Sequence, residues 1–257
     1  MVLQAEEGRL IDAAAGVSRV LIATAVPAER DAVALALAGR GVSLVQLNHA
    51  SMAPGAGQGG GFELLVAGVG SAPAGASVGG VLGVAAVEGR PYELVVSAGI
   101  GGGFLPHAPV GSLVVADEIT VADLGTESDG GFVPVTELGF GTVTHRPPAS
   151  LVRAAVEVTG AAVGAVLTVS TVTGTAGRAA ELRERHPGAL VEAMEGFGVA
   201  EAAALWGTPV LEVRAVSNAV GPRDRDAWRI GDALAALTEG FGKLAPVLES
   251  WKRHDDD

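Results

Sequence analysis

Apolar runs of strand length that end in glycine and pass into helix-competent sequence constrain this chain more than any other feature. ELLVAGVGSAPAG (Glu63–Gly75) and ELVVSAGIGGGF (Glu93–Phe104) show the pattern most clearly. A continuous apolar run of this length predicts a strand buried on both faces. The glycines after it predict tight turns or close backbone approach. RVLIATAV (Arg19–Val26) and VSLVQLNHA (Val42–Ala50) read as strands, with a helix between them that starts at Pro27 and ends near Gly39 and Gly41. MAPGAGQGGG (Met52–Gly61) reads as a Gly-rich turn between strands. GSLVVADEITVADLG, LTVSTVTGT and LEVRAVSNAVG (Leu211–Gly221) are further strands. GRAAELRERHPG is a helix stopped before Pro187, and GALVEAMEGFGVAEAAALWG is a short strand running into a helix.

The last element places Leu234, Leu237, Phe241, Leu244, Leu248 and Trp251 on one helical face, with Asp232 as its N-cap and Pro246 as a possible kink. Strand and helix alternate with no linker. The expected fold is therefore one α/β domain over residues 19–257, a three-layer α/β/α arrangement around a mixed, mostly parallel sheet. Residues 1–18 form an N-terminal extension, read as a short helical or frayed lead-in.

Composition narrows the function classes. Hydrophobic residues make up 49% of the chain but aromatics only 4%, so small aliphatics must fill the core. The formal net charge of −12 argues against a phosphate-tracking surface, and nucleic acid is not an expected partner. The absence of cysteine excludes disulfides, thiolate chemistry and cysteine metal sites. The acidic start MVLQAEEGRL lacks the apolar core of a signal peptide, and no apolar run is long enough for a membrane span. A soluble cytoplasmic protein with no membrane partner is expected.

Ligands of open α/β sheets bind outside the carboxyl ends of the strands, so the residues following each strand are the candidates. GVGSAPAG superficially matches a dinucleotide fingerprint, but no acidic residue ends the next strand to hold a ribose. Glu29, taken alone, reads as a helix-start carboxylate favoured by the dipole, and Glu192 and Glu195 around Met194 have the same plain reading. Asp117 and Glu118 could pair on a metal, yet His49, His107, His145, His186 and His254 are scattered without ligand spacing. Neither metal nor cofactor is expected. LEVRAVSNAVG ends an apolar strand on Ser217 and Asn218, a hydroxyl beside a carboxamide.

Taken in order, Glu29 after the first strand, GVG, SAGIGGGF, LVVADE, VEAMEG and VRAVSN resemble the purine nucleoside phosphorylase and nucleosidase superfamily. The likeness runs from about Arg19 to the end and is strongest to the methylthioadenosine/adenosylhomocysteine nucleosidase branch. SNAVGPRDRDAW looks like the futalosine hydrolase family, which acts in the alternative menaquinone pathway. The resemblance implies a nucleoside phosphorylase-like fold, a purine nucleoside as small-molecule partner and a homo-oligomer. It implies that Glu29 activates the attacking water and that Glu195 grips the ribose 2′- and 3′-hydroxyls beside Met194. Gly70 and the Gly99–Phe104 loop, with Ile100, would lie by the sugar and base.

Asn218, next to Ser217, falls where adenine-acting members keep a catalytic aspartate. An asparagine amide can donate to O6 while its carbonyl accepts from a protonated N7, which suits hypoxanthine; the same amide also pairs with adenine N6 and N7 in a static complex, and its plain reading is a turn residue that caps a strand end. Ile100 replaces a serine common in the superfamily, and the early loops lack phosphate-binding arginines; both favour water over phosphate as nucleophile. Arg223, Arg225 and Trp228 either hold a carboxyphenyl tail or form a solvated charged loop. The competing readings are an adenine-releasing nucleosidase, a phosphate-dependent phosphorylase and a non-catalytic nucleoside-binding protein.

Overall fold

A computed structural model describes residues 18–48, 51–53 and 61–252. The proposed lead-in up to residue 17 and most of the Gly-rich turn, residues 54–60, lie outside the described residues. The strands are β1 (Arg19–Thr24), β2 (Val42–Asn48), β3 (Ser51–Ala53), β4 (Gly61–Val66), β5 (Leu94–Gly103), β6 (Leu113–Val121), β7 (Gly125–Ser128), β8 (Gly131–Pro134), β9 (Thr144–His145), β10 (Ala162–Thr168), β11 (Ala189–Ala193) and β12 (Val210–Ala219). The helices are α1 (Pro27–Ala36), α2 (Ser71–Val87), α3 (Ala149–Thr159), α4 (Ala176–Arg185), α5 (Gly196–Leu205) and α6 (Ile230–Ser250).

The main sheet runs β11-β10-β6-β12-β5-β1-β4-β2-β3, with β9 on β6, and β7 and β8 form a separate hairpin. β1 shows why the chain adopts three layers. All six of its residues are buried, and their side chains alternate between two cores. Val20 and Ile22 join the layer holding Val33, Leu151, Leu237, Phe241, Leu244 and Leu248, from α1, α3 and α6. Leu21 and Ala23 join the layer holding Val78, Leu82, Ala200 and Ala203, from α2 and α5. The α6 stripe is as expected, except that its N-cap is Arg229 and Asp232 sits inside the first turn. Pro246 lies within α6 without ending it.

Two features position the site. First, β5 changes partners along its length. It pairs with β1 from Leu94 to Ser97, then turns to β11, with Gly102 opposite Glu192 and Gly103 opposite Val191. β12 accompanies it throughout. The ends of β1 and β11 therefore splay apart on either side of Gly99–Gly101, a crevice of the kind that binds ligands in α/β sheets. Second, α2 and α5 pack with almost no side chain between them. A Cβ on Gly198 would lie 2.0 Å from the Ser71 carbonyl oxygen, so only glycine permits this approach. That contact brings the amino end of α2 against the amino end of α5.

Candidate active site

Glu29 is the third residue of α1, and its carboxylate turns back under the helix. Oε2 accepts from the backbone N–H of Ala25 (2.9 Å) and Val26 (3.2 Å), and Oε1 accepts from the N–H of Ile100 (2.9 Å). The side chain is 4% exposed. It is thus a buried carboxylate fixed by β5 and by its own helix start, and not a solvated one.

Glu195 immediately precedes α5. Its Oε1 accepts from the Gly70 N–H at 3.2 Å, across the α2–α5 contact. Its Oε2 lies 3.3 Å from Arg214 Nη1. Met194 and Gly70, beside Glu195, line a cavity of about 800 Å³ together with Val69, Ser71, Phe197 and Leu205; Glu195 itself does not border it.

Arg214 projects from β12 and is wholly buried. Its Nε donates to Glu212 Oε1 at 2.8 Å, its Nη2 to Ser97 Oγ at 3.0 Å, and its Nη1 reaches Glu195 and the Ile100 carbonyl. Burial works against the charge. The carboxylates of Glu212, Glu195 and Glu29 outweigh it, and Arg214 is held protonated more firmly than an ordinary arginine. Burial pushes the Glu212 carboxyl up in spite of Arg214, and its Oε2 has no hydrogen-bond partner among the described residues. Gly99 sits against this group, where a Cβ would lie 2.6 Å from both Glu29 Oε1 and Arg214 Nη1.

At the other end of the crevice, the β12–β5 register shifts between Val216 and Asn218. The resulting bulge re-aims the strand end. Ser217 Oγ lies 2.8 Å from Asn218 Oδ1 and 3.2 Å from the Gly101 carbonyl. Asn218 Nδ2 donates to the Ala219 carbonyl at 3.0 Å, which leaves its second N–H free to face a ligand. Asn218 borders a small pocket with Val172, Thr173, Gly221, Arg223 and Trp228. The Arg223 guanidinium lies over the Trp228 ring, 5.6 Å from its centroid.

The structure brings Glu29, Gly99, Ile100, Glu195, Met194 and Gly70 together, and Ser217, Asn218, Arg223 and Trp228 together. Phe104 is placed elsewhere. It is buried among Ala122, Leu167, Val169, Leu182 and Ala189, because β5 has already turned into the core when it reaches that residue. Arg225 lies on an exposed 3₁₀ turn and does not border the Asn218 pocket. Glu118 is paired with Arg146, and no cluster of three metal-ligating side chains occurs among the described residues. No helix among the described residues is long and apolar enough to cross a membrane.

Comparison with known proteins now identifies the frame. Residues 63–246 match the phosphorylase superfamily. A futalosine hydrolase of Streptomyces coelicolor is 68% identical over 92% of this chain and 99% of its own length. One from Acidothermus cellulolyticus is 43% identical over 87% and 89%. The chain belongs to the futalosine hydrolase family. The fold agrees with solved structures of the superfamily. A methylthioadenosine/S-adenosylhomocysteine nucleosidase from Colwellia psychrerythraea, in complex with adenine, gives a TM-score of 0.72 at 19% identity, over 91% of this chain and 96% of that one. The native futalosine hydrolase of Helicobacter pylori gives 0.68 at 15%, over 90% and 97%.

Sequence reasoning missed two members of this futalosine hydrolase site, Glu212 and Arg214. The signal was present in LEVRAV. A glutamate and an arginine two residues apart in a strand share a face, and in a strand this apolar they must pair with each other or with another charge.

Proposed function

We propose that this protein hydrolyses the N-glycosidic bond of futalosine, releasing hypoxanthine and leaving dehypoxanthine futalosine for menaquinone biosynthesis. The substrate reading is carried by the near full-length identity to the Streptomyces enzyme. The roles of the residues follow from counting acceptor positions.

A carboxylate offers about four lone-pair positions. Glu29 uses three on the backbone amides of Ala25, Val26 and Ile100 and keeps about one, enough for a single water. Glu195 uses two, on Gly70 and Arg214, and keeps about two, one for each ribose hydroxyl. In the reaction the C1′–N9 bond breaks with its electron pair leaving on the purine, and positive charge develops on the sugar. Glu195 stabilises that charge. The water oxygen bonds to C1′, and Glu29 takes its proton. The departing purine anion takes up a proton at N7 from solvent water; Asn218 Oδ1 then accepts a hydrogen bond from N7–H, while Asn218 Nδ2 donates to O6. Glu29 and Glu195 are both catalytic residues on this reading, and Arg214 positions Glu195.

The protein acts as a cytoplasmic homo-oligomer. Val69, Leu124 and Leu205 stand exposed around the cavity beside Met194, an apolar rim suited to a second copy. Sedimentation at micromolar concentration measures the assembly, and a monomer at all concentrations would refute it. The activity is tested by following base release from futalosine, inosine and methylthioadenosine with and without phosphate. Hypoxanthine release from futalosine in phosphate-free buffer is expected. Strict phosphate dependence, or release from methylthioadenosine alone, would overturn the proposal.

A further inference from the structure

A buried carboxylate near the Asn218 pocket is left unused by this mechanism. Glu192, on β11, is 4% exposed. It accepts from the backbone N–H of Thr173 at 2.8 Å through Oε1, and from the Thr173 hydroxyl through Oε2. Thr173 belongs to the turn after β10 that borders the Asn218 pocket. The two sides are linked through β5, because Gly102 pairs with Glu192 on one side and with Asn218 on the other. Residues in register across a sheet project to the same face. Glu192 and Asn218 therefore lie on the same face of the sheet on either side of Gly102, two strand spacings or about 10 Å apart at the backbone. Thr173 and Asn218 border the same pocket, so a ligand there meets both.

The polarity of this pair matters. Above the raised range in which it titrates, Glu192 is ionised and only accepts, so the Thr173 hydroxyl spends its single proton on it. Thr173, which borders the pocket, then has lone pairs alone left to offer on Oγ1. A 6-oxopurine carries a hydrogen on N1 and is a donor there; a 6-aminopurine has a bare N1 and is an acceptor. Two acceptors facing each other leave a buried polar pair unsatisfied. We infer that Thr173 is a specificity-determining residue that accepts from N1–H of a 6-oxopurine, and that Glu192 is the positioning residue that fixes its hydroxyl as an acceptor. The inference rests on the proposed function only in placing the purine against Asn218, and it supplies a second, independent discrimination at the edge Asn218 does not read.

Glu192→Gln tests the polarity. The amide oxygen can still take the Thr173 N–H, but the NH₂ group then donates to Oγ1 and turns the hydroxyl proton toward the pocket. The measurement is kcat/KM for futalosine and for its 6-amino counterpart, with titration calorimetry of free hypoxanthine and adenine. The 6-oxo to 6-amino ratio should fall roughly tenfold or more, through loss on the 6-oxo side and gain on the 6-amino side. Thr173→Val keeps the shape and removes the oxygen; its ratio should also fall, without the gain for adenine. Thermal melting identifies a variant that fails to fold, and the other variant then decides alone. Both substrates falling together, or an unchanged ratio, would overturn the inference. Wild-type protein that releases no hypoxanthine from futalosine would instead remove the proposed function, a separate outcome.

Discussion

The two ends of the crevice are built differently. At the end proposed to hold the sugar, Glu29, Glu195 and Arg214 are nearly solvent-free, and each is tied to at least one other element of the fold. At the end proposed to hold the base, Asn218 is half-buried on a bulged strand, and Arg223 is exposed over Trp228. Stabilising a developing sugar cation needs charges that do not reorganise. Choosing among bases and tails needs side chains that can change without unfolding the sheet. Rigidity is concentrated where the chemistry is general, and adaptability where it is particular.

The sharpest way to break this comparison is at the sugar end. Glu29→Gln keeps the shape and the position on α1 but removes the base, so kcat should fall by about 10² to 10⁴. Substrate affinity should change little, because Glu195 and Asn218 still bind. Turnover together with calorimetric binding checks this; full activity in the variant would remove the water-activating role. Arg214→Met should act on the fold itself. It leaves Glu212, Glu195 and Glu29 without the cation between them, and breaking a buried pair in this way costs about 3–5 kcal/mol. Denaturant unfolding at neutral pH measures the loss. A stability within 1 kcal/mol of wild type, about the effect of an ordinary substitution, would mean the cluster contributes nothing to the fold.

The base end should respond in selectivity and spare stability. Asn218→Asp removes the donor to O6 and supplies a titrating acid suited to adenine. Losing one such hydrogen bond in a desolvated site is worth about 1–3 kcal/mol, or roughly tenfold to a hundredfold in kcat/KM for futalosine. The rate ratio between hypoxanthine-bearing and adenine-bearing nucleosides is the measurement, and a constant ratio would move base choice away from this residue.

Glu192 gives a smaller, pH-dependent contrast. Burial pushes its carboxyl above the ordinary range, with the Thr173 hydrogen bonds and Arg178 opposing and Asp123 adding to the rise. A raised folded-state pKa means that the folded chain holds a proton the unfolded chain has released. Stability therefore falls as pH rises from the ordinary carboxyl range through the raised one. Glu192→Gln should flatten that part of a melting-temperature profile. An identical slope would show that Glu192 titrates no differently when folded.

Much of this contrast was legible in the sequence, for reasons that differ by residue. Glu29, Met194, Glu195 and Asn218 stand at strand ends within recognisable motifs, so their order along the chain was enough to suggest their partnership. Their burial was not legible. Glu29 is enclosed because β5 passes over the start of α1 and offers the Ile100 N–H, a contact across 71 positions of sequence. The resemblance placed Phe104 by the sugar and base, as the end of a Gly99–Phe104 loop. β5 in fact continues through those glycines and carries Phe104 into the core. The alternation of strand and helix revealed the layers, but not the change of partner from β1 to β11 that opens the crevice, since pairing between distant strands leaves no local trace. Arg214 and Glu212 were hidden by their surroundings: in an apolar strand, charge is easily taken for a strand edge.

The least constrained part of the base end is the GPRDRDAW loop, and there the expected effects are smallest. Arg223 leans on Trp228, and both border the Asn218 pocket, so a substrate carboxylate could meet the guanidinium while its ring lies along the indole. Arg225 is exposed and outside that pocket. An ion pair at such an exposed position is worth about 0.2–1 kcal/mol, so Arg223→Ala should raise KM for futalosine by roughly 1.5- to 5-fold. Arg225→Ala should leave it near the wild-type value. Inosine, which lacks the carboxyphenyl tail, is the control: its KM should be the same in both variants and in wild type. Equal effects on futalosine and inosine would mean that the loop shapes the base pocket and does not read the tail. Equal effects of the two arginines on futalosine would mean that the loop acts through its field alone, because only Arg223 is placed to touch.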